Sequence, residues 1–324
     1  MSNAVLTPIS QAIDQGLISR RHIKFLMKRT NIHAFFHLVG FVAILGCTGF
    51  LVHLAMDTAW VWPAMFIHGV GIVHCFALQH ECVHYTVFRT RRLNDWVGRV
   101  CGSIIILNNR FFRYEHCDHH TYTQRPGKDP ELIPMPSSFG EYVFYLSSWP
   151  YWRNKFGEMG RHVIGRFNAA EKSFIPVEDR KTVVLEVRLM VFGYLAIIVV
   201  CFWNSWSAPL WYWIIPLFLG EPVMRGIRMT EHVGRPTVTD MRENTRSCLV
   251  SAPLRFLAWN MNYHAAHHYA SSVPFHALPE LQRMIEKHIE VEPGGYLGAH
   301  RDMIRKIKMC WKSNLAETNQ NVKG

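Results

Sequence analysis

Residues 260–269, with the sequence NMNYHAAHHY, are the stretch around which the rest of the chain is organised. They place three histidines, His264, His267 and His268, at positions i, i+3 and i+4. On an α-helix these positions share one face, because about 3.6 residues complete a turn. Three neutral imidazoles on one face are good ligands for a transition metal. The stretch therefore predicts one wall of a metal site.

Two further histidine clusters precede this one and have similar spacing. The motif HCDHH provides His116, His119 and His120, and the motif HECVH provides His80 and His84 at i and i+4. An i, i+4 pair places two imidazoles about 6 Å apart along a helix face, close enough to bind one ion. Because eight clustered histidines exceed the four ligands of one zinc ion, they predict two metal ions that share a site. Histidine ligation does not select the metal, since imidazole suits iron, copper, nickel and zinc.

The composition favours a membrane protein. The 324 residues are 49% hydrophobic and 18% charged, whereas soluble chains carry roughly 25% charged residues. A net charge of +11 fits basic loops that face the cytosol. Nucleic-acid binding is disfavoured, because the Lys and Arg are dispersed and no nucleic-acid-binding motif is present. The eight cysteines form no CxxC motif or disulfide framework, and Cys82 and Cys117 lie inside histidine clusters, which predicts a reducing compartment.

Four apolar runs predict four transmembrane helices in two hairpins. The first hairpin comprises residues 34–56 and 60–79, and the second comprises residues 187–206 and 210–226. Each run approaches the roughly 20 residues that cross a bilayer. The turns between paired runs lack Lys and Arg, whereas the N-terminal, central and C-terminal segments are rich in them. By the positive-inside rule, both termini and all three clusters face the cytosol.

The segments outside the hairpins complete the predicted fold. Two apolar patches, residues 100–107 and 142–151, are too short to span and predict interfacial helices. Glu221 lies inside the fourth run, where a carboxylate is costly, so it should face protein or a polar cavity. The predicted fold is an all-α integral membrane protein: four transmembrane helices in two hairpins, with interfacial helices and a cytosolic histidine-rich cap.

Histidines outside the clusters are interpreted as hydrogen-bonded core or surface residues rather than ligands. These are His22, His33, His37, His53, His68, His162, His276, His288 and His300. His74, two turns before His80, either lines the path to the metals or packs in the core. The membrane setting favours a lipid-soluble substrate. Because inert C–H bonds need an oxidant, an oxygen-activating redox metal is favoured over zinc.

The chain resembles the membrane fatty acid desaturase family, whose three histidine boxes correspond here to HECVH, HCDHH and HAAHH. The surrounding sequence agrees, with TYT and DPEL after the second box, NTR before the third, and VPF and LP after it. The similarity covers about residues 34–290. In the third box Ala266 stands where Glu is common in the family, and residues 270–271 stand where a proline-containing stretch is common.

The resemblance implies a non-haem di-iron centre, two iron ions that use dioxygen and two electrons. It also implies a ninth histidine ligand between the second hairpin and the third box, where His232 is the only histidine. The implied ligands are therefore His80, His84, His116, His119, His120, His232, His264, His267 and His268. Neither iron–sulfur cysteine spacing nor a cytochrome-like extension is present, so a separate ferredoxin or cytochrome with its reductase is the expected electron donor.

The expected function is oxygen-dependent desaturation of an acyl chain or lipid. The alternatives are a hydroxylase or monooxygenase on the same scaffold, or desaturation of a small non-lipid metabolite. A non-catalytic haem or metal-transport protein is disfavoured, because haem needs ligands that face each other across a ring. The expected organisation is a basic amphipathic lead-in (residues 1–33), a desaturase-like membrane domain (34–290) and a cytosolic tail (291–324). The expected location is a bacterial inner membrane, with the active site facing the cytosol.

Overall fold

A computed structural model describes residues 8–16 and 18–321, with side chains from residue 9 to residue 309 except residue 17. The chain is mostly helical. The helices are α1 (Pro8–Asp14), α2 (Arg20–Leu26), α3 (Asn31–Ala55), α4 (Val61–Val73), α5 (Cys75–Val83), α6 (Arg91–Ile104), α7 (Asn109–Tyr122), α8 (Phe139–Leu146), α9 (Trp149–Val163), α10 (Ala169–Phe174), α11 (Arg180–Trp203), α12 (Ile215–His232), α13 (Met241–Asn244), α14 (Ala252–Leu257), α15 (His264–Tyr269), α16 (Leu278–Ile285) and α17 (Gly295–Asn321). Short 3-10 turns cover Val177–Asp179 and Glu286–His288, and a π-helical turn covers Leu210–Ile214.

Three helical segments among the described residues are long and apolar enough to cross a membrane: Asn31–Ala55, Val61–Val83 and Val177–Trp203. They correspond to the first three predicted runs. The second combines α4 and α5, which meet at His74. The fourth predicted run, residues 210–226, is helical but is not among the three, because α12 carries the charged residues Glu221, Arg225, Arg228 and Glu231.

Helix α12 is instead buried against α4 at a very close crossing. A Cβ atom at Gly220 would lie 2.3 Å from the carbonyl carbon of Gly69, so the two backbones touch only because both residues are glycine. Glu221 is 3% exposed and pairs with Arg225, with an Oε1–Nε distance of 2.7 Å. The expectation that Glu221 faces protein is therefore confirmed.

The two apolar patches predicted as interfacial helices lie on α6 and its C-terminal turn, and on α8 with the start of α9. Helix α6 exposes Trp96 and Val100, and the second patch exposes Val143, Phe144 and Trp149. Large apolar side chains on the outside of short amphipathic helices suit a membrane surface.

The chain is mostly helical, as predicted, and also contains one short pair of strands that the sequence did not predict. Strand β1 (Arg246–Cys248) pairs in parallel with strand β2 (Glu290–Glu292), with Ser247 opposite Val291. Strands of three residues are too short to show the alternating polarity that reveals a strand in sequence. This pairing holds the segment before the third histidine cluster against the C-terminal region.

Both terminal segments pack against the rest of the fold. In the expected lead-in, α2 buries Ile23 and Leu26. In the expected tail, α17 buries Met303 and Ile307 in one apolar cluster with Met229 of α12. The first seven residues of that lead-in and the last three of that tail lie outside the described residues.

Candidate metal centre

Four helical elements carry the nine predicted ligands to one place. Helix α5 and the residue after it carry the first cluster, α7 the second, α15 the third, and α12 ends at His232. Asn108 is the N-cap of helix α7, because its side chain accepts a hydrogen bond from the Phe111 N–H at 2.7 Å. Before α15 the chain turns through Trp259 and Asn260, whose φ values are 50° and 61°.

The nine histidines lie in two groups. Within each group one nitrogen per residue lies within 4.8 Å of the corresponding nitrogens of the others. The group of five comprises His80, His84, His116, His120 and His267. The group of four comprises His119, His232, His264 and His268. The second and third clusters are each divided between the groups, so the groups do not follow the sequence motifs.

The spacing of the ring nitrogens fits bound metal ions. The Nε2 atom of His120 lies 3.1 Å from Nε2 of both His116 and His267. The Nε2 atom of His264 lies 3.0 Å from Nε2 of His232 and 3.1 Å from Nε2 of His268. Two nitrogens at right angles around an ion, each about 2.1 Å from it, are about 3.0 Å apart. Among the nine predicted ligands, the buried Nε2 atoms that lack a hydrogen-bond partner are those of His80, His84 and His119.

Two carboxylates contact the Nδ1 atoms of His116 and His119, on the side of each ring away from the group. Glu131 Oε1 lies 2.7 Å from His116 Nδ1, and Asp129 Oδ1 lies 2.8 Å from His119 Nδ1. When Nδ1–H donates to a carboxylate, Nε2 carries a lone pair that points into the group. Lone pairs that face each other at about 3 Å repel unless a cation lies between them. The donor set therefore fits metal binding better than hydrogen bonding between histidines.

A buried arginine connects the two groups. Arg228, 6% exposed, contacts both Glu131 and Glu231. Glu231 Oε1 in turn lies 3.7 Å from Nδ1 of His264, in the group of four. Glu131 serves the group of five through His116. The contacts from His116 through Glu131, Arg228 and Glu231 to His264 therefore link a ring in one group to a ring in the other.

The carboxyl group of Glu81 is fully buried beside the group of five. Its Oε1 atom lies 3.7 Å from His267 Nδ1, and its Oε2 atom accepts hydrogen bonds from Thr86 Oγ1 at 2.8 Å and from the Phe275 N–H at 3.1 Å. The hydrogen bond from Phe275 joins α5 to the loop after α15. Glu81 lies within the HECVH motif, but its role became visible only through its contacts.

The electrostatics keep most of these imidazoles neutral. Burial lowers the pKa of His116, His120, His264, His267 and His268 well below its usual value, and the neighbouring histidines lower it further. Burial also lowers the pKa of His84 to about 3, with the Arg113 charge adding to the effect. At His119 burial acts in the same direction, yet the carboxylates of Glu131 and Asp129 raise its pKa. Neutral imidazole is the form that binds metal.

A narrow apolar cavity lies beside His80 and His264. Its volume is about 20 Å³, and Phe76, Met224 and Met261 are among its walls. That volume suits about one water molecule, whereas pockets for larger ligands measure about 300 Å³ or more. His74 lines this cavity, is buried, and lies with Nδ1 2.6 Å from the Val70 carbonyl, which agrees with its interpretation as a core residue.

Several histidines predicted to lie outside the site have ordinary partners. His37 Nε2 lies 2.8 Å from the Phe256 carbonyl, and His22 Nε2 lies 3.0 Å from Glu280 Oε1. The rings of His33 and His276 stack with centroids 4.6 Å apart. None of these histidines belongs to either group.

Three apolar helices long enough to cross a membrane, together with two histidine groups that could each hold a metal ion, are features of a membrane protein with a metal site. The family model for fatty acid desaturase matches residues 68–296, more than half of the chain. The chain therefore belongs to the fatty acid desaturase family.

Relatives in this family carry out different oxidations. A fatty acid conjugase from Calendula officinalis is 30% identical over 91 residues, 28% of this chain and 24% of that protein. Beta-carotene 4-ketolase 3 from Haematococcus lacustris is 32% identical over 87 residues, 24% of this chain and 27% of that protein. The chain thus spans about a quarter of each of these two relatives. An sn-1 oleoyl-lipid 12-desaturase from Anabaena variabilis is 22% identical over 263 residues, 75% of this chain and 71% of that protein.

Proposed function

We propose that this chain is an oxygen-dependent desaturase that introduces a double bond into an acyl chain or lipid. The observation that carries the proposal is the convergence of nine buried or half-buried histidines into a group of five and a group of four. Each group would bind one iron ion, since each offers enough nitrogen donors for a separate ion. Family membership and the similarity to a lipid 12-desaturase support the substrate class.

The chemistry requires an oxidant and two external electrons. Two bound iron ions would supply the oxidising power: dioxygen, two electrons and two protons are consumed, two hydrogens leave neighbouring methylenes, and two water molecules form. The residues of this chain would hold the donors in place: Asp129 and Glu131 accept the Nδ1 protons of His119 and His116, which leaves Nε2 of each ring free to bind an iron ion.

The apolar cavity beside His80 and His264 is the proposed entrance for the substrate. Because it holds only about one water molecule, an acyl chain must displace part of the wall. Met224 and Met261 are suited to this movement, since methionine side chains are unbranched and flexible. Closure of the apolar walls around the chain would exclude bulk water from the reacting carbons.

The proposed setting keeps the full predicted topology. Residues 210–226 would be the fourth span, with Glu221 and Arg225 shielded from lipid by their own ion pair and by α4. All three histidine clusters would face the cytosol, in a bacterial inner membrane. A separate ferredoxin or cytochrome, with its reductase, would deliver the electrons. The proposed organisation remains a lead-in over residues 1–33, a membrane domain over 34–290 and a C-terminal segment over 291–324.

The similarity to a ketolase supports a second candidate function, oxygen insertion on the same scaffold. Iron-loaded protein should therefore be supplied with acyl lipids, a reductant and dioxygen, and the products analysed by mass spectrometry. Desaturation predicts loss of two hydrogens, hydroxylation predicts gain of one oxygen, and ketolation predicts gain of one oxygen with loss of two hydrogens. The same preparation should contain about two iron atoms per chain. Zinc alone, with activity independent of iron, would contradict the di-iron proposal.

A further inference from the structure

Five cationic side chains line a surface pocket where α11 begins. They are Arg166, Lys172, Arg180, Lys181 and Arg188, and the pocket has a volume of about 690 Å³. Its other walls include Phe167, Val184 and Leu185. Glu171, next in sequence to Lys172, already pairs with Arg161 and accepts the Asn168 N–H at 2.7 Å. Among the described residues, no carboxylate lies within 4.0 Å of any of the five cationic groups.

The arginine side chains of the pocket are held by backbone carbonyl groups, which do not neutralise their positive charges. Gly165, with φ +75°, ends α9 and turns the chain toward α10. Arg180 Nη2 donates to the Lys172 carbonyl at 2.8 Å, and Arg188 Nε donates to the Val163 carbonyl at 2.8 Å. These bonds hold two guanidinium groups in place through neutral oxygens. An anion in the pocket would therefore meet a fixed positive field.

The pocket lies beside a helix that the membrane is expected to contact. Helix α11 belongs to the candidate span Val177–Trp203, whose most apolar part is only 11% buried. Arg188 lies about 12 Å along this helix from Arg180, at about 1.5 Å per residue. Its contact with Val163 directs the charge toward the pocket rather than toward lipid. This arrangement places the cations at the level where an apolar helix leaves the bilayer.

A second, mostly apolar cavity lies next to the pocket and is called the α6–α11 groove here. Leu185 lines both the basic pocket and a cavity of about 800 Å³ between α6 and α11. The walls of this groove include Trp96, Val100, Leu189 and Ile197. A positive pocket that shares a wall residue with an apolar groove matches an amphiphile with an anionic head.

We propose that the pocket binds the phosphate headgroup of an anionic phospholipid and that the α6–α11 groove binds one of its acyl chains. Basic pockets at the cytosolic ends of membrane helices bind such headgroups through charge-assisted hydrogen bonds. An acidic redox protein would also meet the cations, but it would have no use for the apolar groove. The lipid site is separate from the histidine groups and does not depend on the reaction.

Lipid binding to the purified full-length chain, measured by native mass spectrometry, tests the proposal. Phosphatidylglycerol should bind more tightly than phosphatidylcholine with the same acyl chains. The triple variant Arg166→Gln, Lys172→Gln, Lys181→Gln should weaken phosphatidylglycerol binding about a hundredfold, at about fivefold per charge. A matched control, Lys287→Gln, Arg301→Gln, Lys308→Gln, removes three exposed charges elsewhere and should leave binding within about twofold.

A second variant tests the groove without changing charge. Gly193 lines the groove, and a Cβ atom added there would meet no other atom within 4 Å. Gly193→Phe should therefore fill the groove and weaken binding of long-chain phosphatidylglycerol. Equal binding of the two lipids, or equal loss in the control triple variant, would overturn the proposal. A pocket variant that binds phosphatidylglycerol normally but accepts electrons poorly from its donor would assign the pocket to a protein partner instead.

Discussion

Substitution of Glu131 tests whether its carboxylate supports metal binding by the group of five. In the native protein, Glu131 Oε1 lies 2.7 Å from His116 Nδ1. Glu131→Gln keeps the volume of the side chain and an oxygen that can accept the Nδ1–H, but it removes the negative charge. A hydrogen bond to a charged group contributes about 1.5–3 kcal/mol and a neutral one about 0.5–1.5 kcal/mol. The difference, about 1–1.5 kcal/mol, corresponds to roughly a tenfold loss of metal affinity. Buried Arg228 also loses one of its two carboxylates, so the expected loss is about 10–100-fold.

The measurement is metal content after dialysis against graded concentrations of chelator. Since His116 belongs to the group of five, one of two ions should leave the Glu131→Gln protein first. Glu286→Gln is the matched control, because Glu286 is exposed and far in sequence from the clusters. If Glu131→Gln and Glu286→Gln both retain metal as the unaltered protein does, the carboxylate does not support the site and the reasoning is refuted.

Two further substitutions and one labelling experiment test other parts of the structure. His232→Ala should release metal from the group of four and abolish product, whereas His276→Ala should preserve both, as metal analysis and turnover will show. Exposed Cys117 should resist an impermeant thiol reagent in intact cells and react after permeabilisation; labelling in intact cells would reverse the topology. Gly220→Ala should lower the unfolding temperature through overpacking of about 1–3 kcal/mol, while Gly193→Ala, where a Cβ meets open space, should not.

The sequence predicted the apolar helices and eight of the nine histidines of the two groups, because both signals are local. Hydropathy over about 20 residues reveals a span, and spacing of three and four residues places histidines on one helix face. His232 has no such spacing, and only the resemblance to the desaturase family singled it out. Its position beside His264, with Nε2 atoms 3.0 Å apart, is a result of tertiary packing.

The residues that sequence reasoning missed act through long-range contacts. Glu131 and Arg228 are separated by 97 positions, and Glu81 lies 194 positions from Phe275, whose N–H it accepts. The DPEL motif pointed to Asp129 and Glu131 as family features without assigning them a partner. No periodicity in one segment can reveal a partner on another.

The sequence by itself determined which residues could face a metal and which segments favour lipid, since helix geometry and hydropathy are local properties. The tertiary structure decided how the histidines divide into five and four, which carboxylates orient them, and that α12 is buried against α4. These features depend on which helix faces meet. Packing of the whole chain determines which faces meet. A buried charge needs an ion-pair or hydrogen-bond partner, and a buried side chain needs close-packed neighbours, and both come from other helices.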